Sequence, residues 1–115
     1  MDIRWVAAGL ALALGACGGS GAGVPDQFAG TWGADCSSPF VKFDGSTVHV
    51  FPDNADYSIK SATLSGNELK VAYDTKDRGT VTDTYESEGT TLRLTKTEAA
   101  GGEATWDKAP MSKCP

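Results

Sequence analysis

Hydrophobic and polar residues alternate along most of this chain after residue 26, with a period of two. That period places successive side chains on opposite faces of a β-strand, whereas an amphipathic helix needs a period of about 3.6. Turn-forming residues interrupt the alternating runs at short intervals, as in Asp44-Gly45 and Ser65-Gly66-Asn67. Turns of this kind between short runs favour antiparallel hairpins. The pattern predicts eight strands, over residues 28–32, 40–43, 47–51, 57–64, 68–73, 80–85, 91–97 and 104–108.

We predict an all-β domain whose strands form a small antiparallel meander that closes into an eight-stranded barrel. Closure removes the unpaired strand edges that promote association with other chains. A two-sheet β-sandwich is the alternative that the same pattern allows. The residues with the parity expected of an inward face are Val48, Val50, Leu69, Val71, Tyr73, Val81, Tyr85, Leu92 and Leu94.

The N-terminus has a different pattern, in which Arg4 precedes an uncharged ten-residue run over 5–14. A membrane-spanning helix needs about 20 apolar residues, whereas the core of a signal peptide needs about 7 to 15. Leu14-Gly15-Ala16-Cys17 resembles the lipobox of bacterial lipoprotein signal peptides. The resemblance implies cleavage before Cys17 and acylation of that residue with diacylglycerol and a fatty acid such as palmitate. A buried helix that ends at a free cysteine is the alternative.

We therefore expect a lipoprotein signal peptide over 1–16, a lipidated, Gly/Ser-rich tether over 17–25 and a β-barrel domain over 26–115. Attachment through two or more acyl chains is stable, so the protein is expected on a membrane. Gly18, and not aspartate, follows the modified cysteine. Resemblance to sorted lipoproteins then implies the outer membrane, with the domain facing the periplasm.

The two remaining cysteines favour closure of the barrel. Cys36 follows the first predicted strand and Cys114 follows the last. These strands are neighbours in an up-and-down barrel, and a disulfide needs Cα atoms within about 7 Å. In an oxidising compartment the pair predicts a structural disulfide, with a metal pair or a reactive thiol as alternatives. His49 is the only histidine, so a conventional zinc site lacks ligands, and no metal or cofactor is expected.

The net charge of the chain argues against some classes of binding partner and favours others. The chain has 115 residues and a formal net charge of −5, which argues against nucleic-acid binding because phosphates require clustered Lys and Arg. An acidic barrel held at a membrane favours a monomeric, non-catalytic binding protein whose partner is a cationic envelope protein, since opposite charges accelerate association. A basic envelope enzyme such as lysozyme, on which the protein would act like an inhibitor, is one such partner. No nucleophile–base pair stands out, so enzymatic activity is not expected. A lipocalin-like barrel that binds a small apolar ligand is the alternative.

Two residues are candidates for binding or for closing a barrel end. Gly30-Thr31-Trp32 is similar to the glycine–tryptophan signature of lipocalins, and that resemblance implies that Trp32 plugs one end. Asp83 shares the parity of the inward residues, and a carboxylate on an apolar face must be paired or must line a cavity or barrel mouth. A strand-end carboxylate bonded to water or to a turn is the expected arrangement. His49 has the opposite parity and is expected on the surface.

A second resemblance is to the membrane-bound inhibitors of C-type lysozyme, which are small lipid-anchored barrels with a disulfide between the first and last strands. Cys36, Cys114 and the tail 102–105 are similar to that family's pattern. Ala100 stands where the family has a lysine, and Ser87-Glu88-Gly89 only approximates its serine–glycine pair. In the family those two positions enter the lysozyme cleft, so we expect weak or absent inhibition by this chain.

Overall fold

A computed structural model describes residues 23–115, and the signal-peptide and lipidation predictions for residues 1–22 lie outside the described residues. The described part is all-β apart from one turn of 3₁₀ helix at Asp26–Phe28. Nine strands follow it: β1 (Gly30–Gly33), β2 (Val41–Asp44), β3 (Thr47–Val50), β4 (Ala55–Ser65), β5 (Glu68–Thr75), β6 (Gly79–Glu88), β7 (Thr91–Ala99), β8 (Gly102–Thr105) and β9 (Met111–Lys113).

Eight of these strands form a closed antiparallel barrel. Strands β1 to β7 each pair with the next strand in the chain, through hairpins and short loops. Strand β9 then pairs with β7 on one side and with β1 on the other, which completes the ring. The predicted eight-stranded barrel is confirmed, and the two-sheet sandwich does not form.

The strand that closes the ring is not the predicted one. The sequence predicts closure by residues 104–108, but β8 pairs only with β7 and lies outside the ring. All four residues of β8 are exposed, so this strand has no apolar side to turn towards the core. Closure is made by β9, which has three residues and is too short for an alternating pattern to reveal.

The core fills the interior of the barrel, and all nine residues assigned to the inward face are buried. Phe43 and Tyr85 are among the largest fully buried side chains and pack edge to face, with ring centroids 5.6 Å apart. Full burial of a large apolar side chain contributes about 1.5–3 kcal/mol to stability. Two polar residues, Asp83 and Thr84, are buried with them.

The segment that precedes β1 covers the barrel end that carries the β2–β3 turn. The backbone N–H of Val24 donates to the carbonyl oxygen of Gly45 in that turn. Phe28 is buried, and the indole Nε1 of Trp32 donates to its carbonyl oxygen at 2.9 Å. The ammonium of Lys113 lies 5.5 Å from the centre of the Trp32 ring. Trp32 is therefore held between the short helix and the closing strand.

A disulfide joins Cys36 to Cys114, which are 78 residues apart in the sequence. It ties the β1–β2 loop to the residue that follows β9, so it links two strands that are neighbours in the ring. The predicted disulfide is confirmed, in place of a metal pair or a reactive thiol. Closing a loop of this length stabilises the fold by about 4.5 kcal/mol in the chain-entropy description.

Candidate binding site

The β3–β4, β5–β6 and β7–β8 turns lie at the barrel end opposite the N-terminal segment, because antiparallel strands place alternate turns at opposite ends. We refer to this end, formed by residues 51–57, 74–78 and 100–101, as the mouth. Arg78 reaches across it, with its Nη2 atom 2.9 Å from Oδ2 of Asp53. The hydroxyl of Tyr57 donates to the same carboxylate oxygen at 3.0 Å. The β3–β4 and β5–β6 turns are thus joined by an ion pair.

Asp83 lies in β6 with its side chain inside the barrel, and it is only 7% exposed. The hydroxyl of Tyr73 donates to its Oδ2 at 2.7 Å, and the hydroxyl of Thr97 donates to its Oδ1 at 2.7 Å. Burial raises the pKa of Asp83, and the two hydrogen bonds oppose part of that rise. The partners come from the neighbouring strands β5 and β7. The carboxylate is therefore held by side chains across the sheet, and not by water or a turn as the sequence suggests.

A β-bulge in β7 brings Thr97 to Asp83. Tyr85 stands opposite Leu94, whereas Asp83 stands opposite Thr97, so β7 carries one extra residue between the two pairs. One extra residue reverses the parity of a strand, and Leu94 and Thr97 therefore both face inward. Sequence reasoning misses Thr97, because strict alternation assigns it to the face opposite Leu94.

Two stacked tyrosines connect the surface of the mouth to this carboxylate. The rings of Tyr57 and Tyr73 lie 5.0 Å apart and nearly parallel. Burial, followed by the charge of Asp83, raises the pKa of Tyr73. Tyr73 therefore keeps its proton at neutral pH and acts as a hydrogen-bond donor. The stack links the ion pair at the rim to the buried acid below it.

Trp106 extends the network to the outside of the barrel. Its indole Nε1 donates to the hydroxyl oxygen of Thr97 at 3.0 Å, and Thr97 in turn donates to Asp83. Trp106 follows β8 and is 42% exposed. A chain of hydrogen bonds thus runs from an exposed aromatic ring to a buried carboxylate. The sequence offers no signal for this role beyond a tryptophan in a polar segment.

The structure does not bring the two sequence candidates together. Trp32 lies near the end covered by the N-terminal segment, where it bonds to Phe28. Asp83 lies on the mouth side, bonded to Tyr73 and Thr97. The two residues therefore belong to different parts of the barrel and cannot form one site.

The surface of the mouth is mainly acidic. A depression between the β3–β4 and β5–β6 turns is lined by four aspartates, by Lys76 and by Arg78; the aspartates are Asp53, Asp56, Asp74 and Asp77. Carboxylates exceed cations by two, and Arg78 is already paired with Asp53. The mouth therefore presents excess negative charge to solvent.

His49 lies on the outer face of β3, between the buried residues Val48 and Val50. Its Nδ1 is 2.8 Å from Oδ1 of Asp56, and its ring contacts Phe51 edge to face. Within residues 23–115, no group of three or more His, Cys, Asp and Glu side chains is placed to hold a metal ion. In the same part of the chain, no helix has the length and apolar character needed to cross a membrane.

The two segments that the lysozyme-inhibitor resemblance assigns to one cleft lie at opposite ends of the barrel. Ser87 and Glu88 end β6 and Gly89 lies in the β6–β7 turn, whereas Ala100 lies in the β7–β8 turn at the mouth. The nine residues of β7 separate them. At about 3.3 Å per residue this strand spans about 30 Å. The two segments cannot enter one cleft together.

Comparison with known proteins does not assign the chain to a family: no family model, no curated protein and no solved structure matches it.

Proposed function

We propose that this protein is a lipid-anchored, non-catalytic binding protein of the bacterial cell envelope, and that its partner is a cationic envelope protein. Cys17 carries the lipid in this proposal, and the outer membrane is the membrane to which it attaches. The observation that supports the proposal best is the position of the acidic mouth relative to the N-terminal end of the domain.

The chain enters the barrel far from the mouth. Val24, near the start of the described residues, bonds to Gly45 in the β2–β3 turn. A lipid on Cys17 lies only six residues before Gly23, which is the first described residue. If those six residues behave as the Gly/Ser-rich tether expected from the sequence, they reach about 12–15 Å, so an anchored barrel would keep its N-terminal end near the bilayer. The mouth would then point away from the membrane, towards other proteins.

The exposed groups at the mouth suit a cationic protein. Asp56, Asp74 and Asp77 are all exposed there. Their three charges are part of the net charge of −5, and negative charge concentrated at this end raises the rate at which a cationic protein meets it. Trp106, which is 42% exposed and bonded to Thr97, offers aromatic surface nearby, and such residues often provide much of the binding energy at interfaces.

The barrel interior favours this reading over a calyx for a small apolar ligand. An eight-stranded barrel has an interior about wide enough for its own side chains. Here Phe43, Leu69, Tyr85 and Leu92 are fully buried among the other core residues. The interior volume is therefore occupied by the protein itself.

The test is capture of proteins from an envelope extract on the immobilised protein, at low and at moderate salt. Screening acts over about 8 Å at physiological ionic strength, so we expect basic proteins to be retained at low salt and released as salt rises. Retention of mainly acidic proteins, or recovery that does not depend on salt, would contradict the proposal.

A further inference from the structure

We propose that a cleft in the wall of the barrel binds a small anionic amphiphile, with its apolar body on Leu94 and Met111 and its anionic group on Lys108. The cleft is distinct from the acidic mouth, and the inference does not rest on the partner proposed above.

The cleft exists because β7 changes partners along its length. Strand β9 pairs with β7 only at Thr91 and Leu92, whereas β8 pairs with it from Lys96 onwards. Leu94 lies between these two pairings, so neither β8 nor β9 pairs with β7 at this residue and the wall of the barrel is open there. The β1–β2 loop and the segment after β8 border the resulting gap.

The floor of the cleft is apolar and reaches the core. Leu94 and Met111 form it and are 3% and 5% exposed. Phe40 is half-buried and packs against the core from the side. The cleft has a volume of about 270 Å³, slightly below the 300 Å³ or so at which sites for drug-sized ligands begin. This volume suits a short alkyl chain or a single ring.

The rim of the cleft is cationic in an otherwise acidic protein. The ammonium of Lys108 lies 5.3 Å from the centre of the Phe40 ring and 4.8 Å from that of Trp106. Among the described residues no carboxylate lies within 4 Å of it, and the cleft is lined by Ser38 but by no acidic residue.

An anion at the rim would therefore meet an ammonium and a hydroxyl without having to displace a carboxylate. Hydrogen bonds to an ionised group are about twice as strong as neutral ones. The apolar floor would bind the rest of the ligand by removing its surface from water. Together these groups select a molecule with one negative charge and a short apolar body.

The purified protein is titrated with octanoate, octanol and octylamine, and binding is measured from the changes in its amide chemical shifts. The three ligands share an apolar chain and differ in charge, so the comparison separates the contribution of charge from that of apolar contact. We expect saturable binding of octanoate with a Kd of about 1 mM or lower, and at least about tenfold weaker binding of the other two. Shifts should map to the cleft residues. Binding of octylamine as tight as that of octanoate would overturn the proposal. So would shifts caused only by anionic phospholipid vesicles and not by free octanoate.

Variants test the assigned residues. Lys108→Gln should weaken octanoate binding about tenfold and leave octanol binding unchanged. Lys42→Gln makes the same charge change at an exposed position of β2 and should leave the binding of both ligands unchanged. Ala34→Trp should fill the cleft and weaken both ligands, with circular dichroism to confirm the fold. Octanoate affinity that survives Lys108→Gln, or that falls equally in Lys42→Gln, would contradict the site.

Discussion

Tyr73→Phe tests how the barrel tolerates a carboxylate in its interior. The change removes the hydroxyl that donates to Asp83 at 2.7 Å and keeps the ring stacked on Tyr57. Loss of a hydrogen bond to a charged group costs about 1.5–3 kcal/mol. In a domain of this size each kcal/mol lowers the midpoint temperature by about 4–8 °C. We therefore expect a fall of about 6–24 °C.

Tyr73 and Asp83 also make the stability of the fold depend on pH. Burial raises the pKa of Asp83 above its ordinary value of 3.8, so the folded state binds the proton more tightly than the unfolded state does. The stability that Asp83 gains from this tighter proton binding is fully present below its pKa in the unfolded state, and it is lost as pH rises through its pKa in the folded state. Asp83→Asn cannot titrate but still accepts a hydrogen bond from Tyr73. The free energy of unfolding of the wild type, relative to this variant, should therefore decrease as pH rises from about 4.

Urea unfolding followed by circular dichroism measures these free energies for the wild type, the two single variants and the double variant. Tyr73→Phe should cost about 0.5–1.5 kcal/mol in the Asp83→Asn background, which is less than in the wild type, because the acceptor is then neutral. Equal costs in both backgrounds would refute the charge-assisted bond. A wild type that gains stability over Asp83→Asn as pH rises would refute the raised pKa.

Three further predictions concern the cysteines and lysozyme. Labelled palmitate should be incorporated into the wild type and not into Cys17→Ser, and label retained in that variant would remove the lipoprotein assignment. The purified protein should contain no titratable Cys36 or Cys114 thiol. The double variant Cys36→Ala/Cys114→Ala should have a free energy of unfolding in urea that is about 2–5 kcal/mol lower. Two free thiols, or unchanged stability, would contradict the structural role of the disulfide. A stoichiometric excess of the protein should inhibit the lysis of peptidoglycan by C-type lysozyme weakly or not at all, because Ala100 offers no cation. Complete inhibition would contradict this prediction.

The alternating pattern predicted most of the barrel because a strand with one buried face shows its orientation directly in the sequence. Val48 and Val50 in β3, and Leu69 and Val71 in β5, face the core as the parity indicates. The pattern could not find β9, which is held by pairing on both sides and by the nearby disulfide, with a single buried residue, Met111.

The candidate site was only partly predictable for a related reason. Parity placed Asp83 on the inner face, but its partners depend on register between strands. Thr97 reaches it only because β7 contains a bulge, and Trp106 reaches Thr97 from outside the ring. Neither the bulge in β7 nor the contact made by Trp106 can be recognised from the local amino-acid composition. The resemblance to lysozyme inhibitors likewise named segments without showing that they lie at opposite ends of β7.

The most direct test of partner binding through the mouth compares two matched double variants. Asp74→Asn/Asp77→Asn removes two exposed charges at the mouth, and Glu68→Gln/Glu88→Gln removes two at the opposite end. The measurement is the association rate of a basic envelope protein captured by the wild type, at low and moderate salt. The proposed function predicts that the mouth variant slows association and weakens its salt dependence, while the opposite-end variant has a much smaller effect. Equal effects of the two variants, or no effect of either, would contradict binding at the mouth.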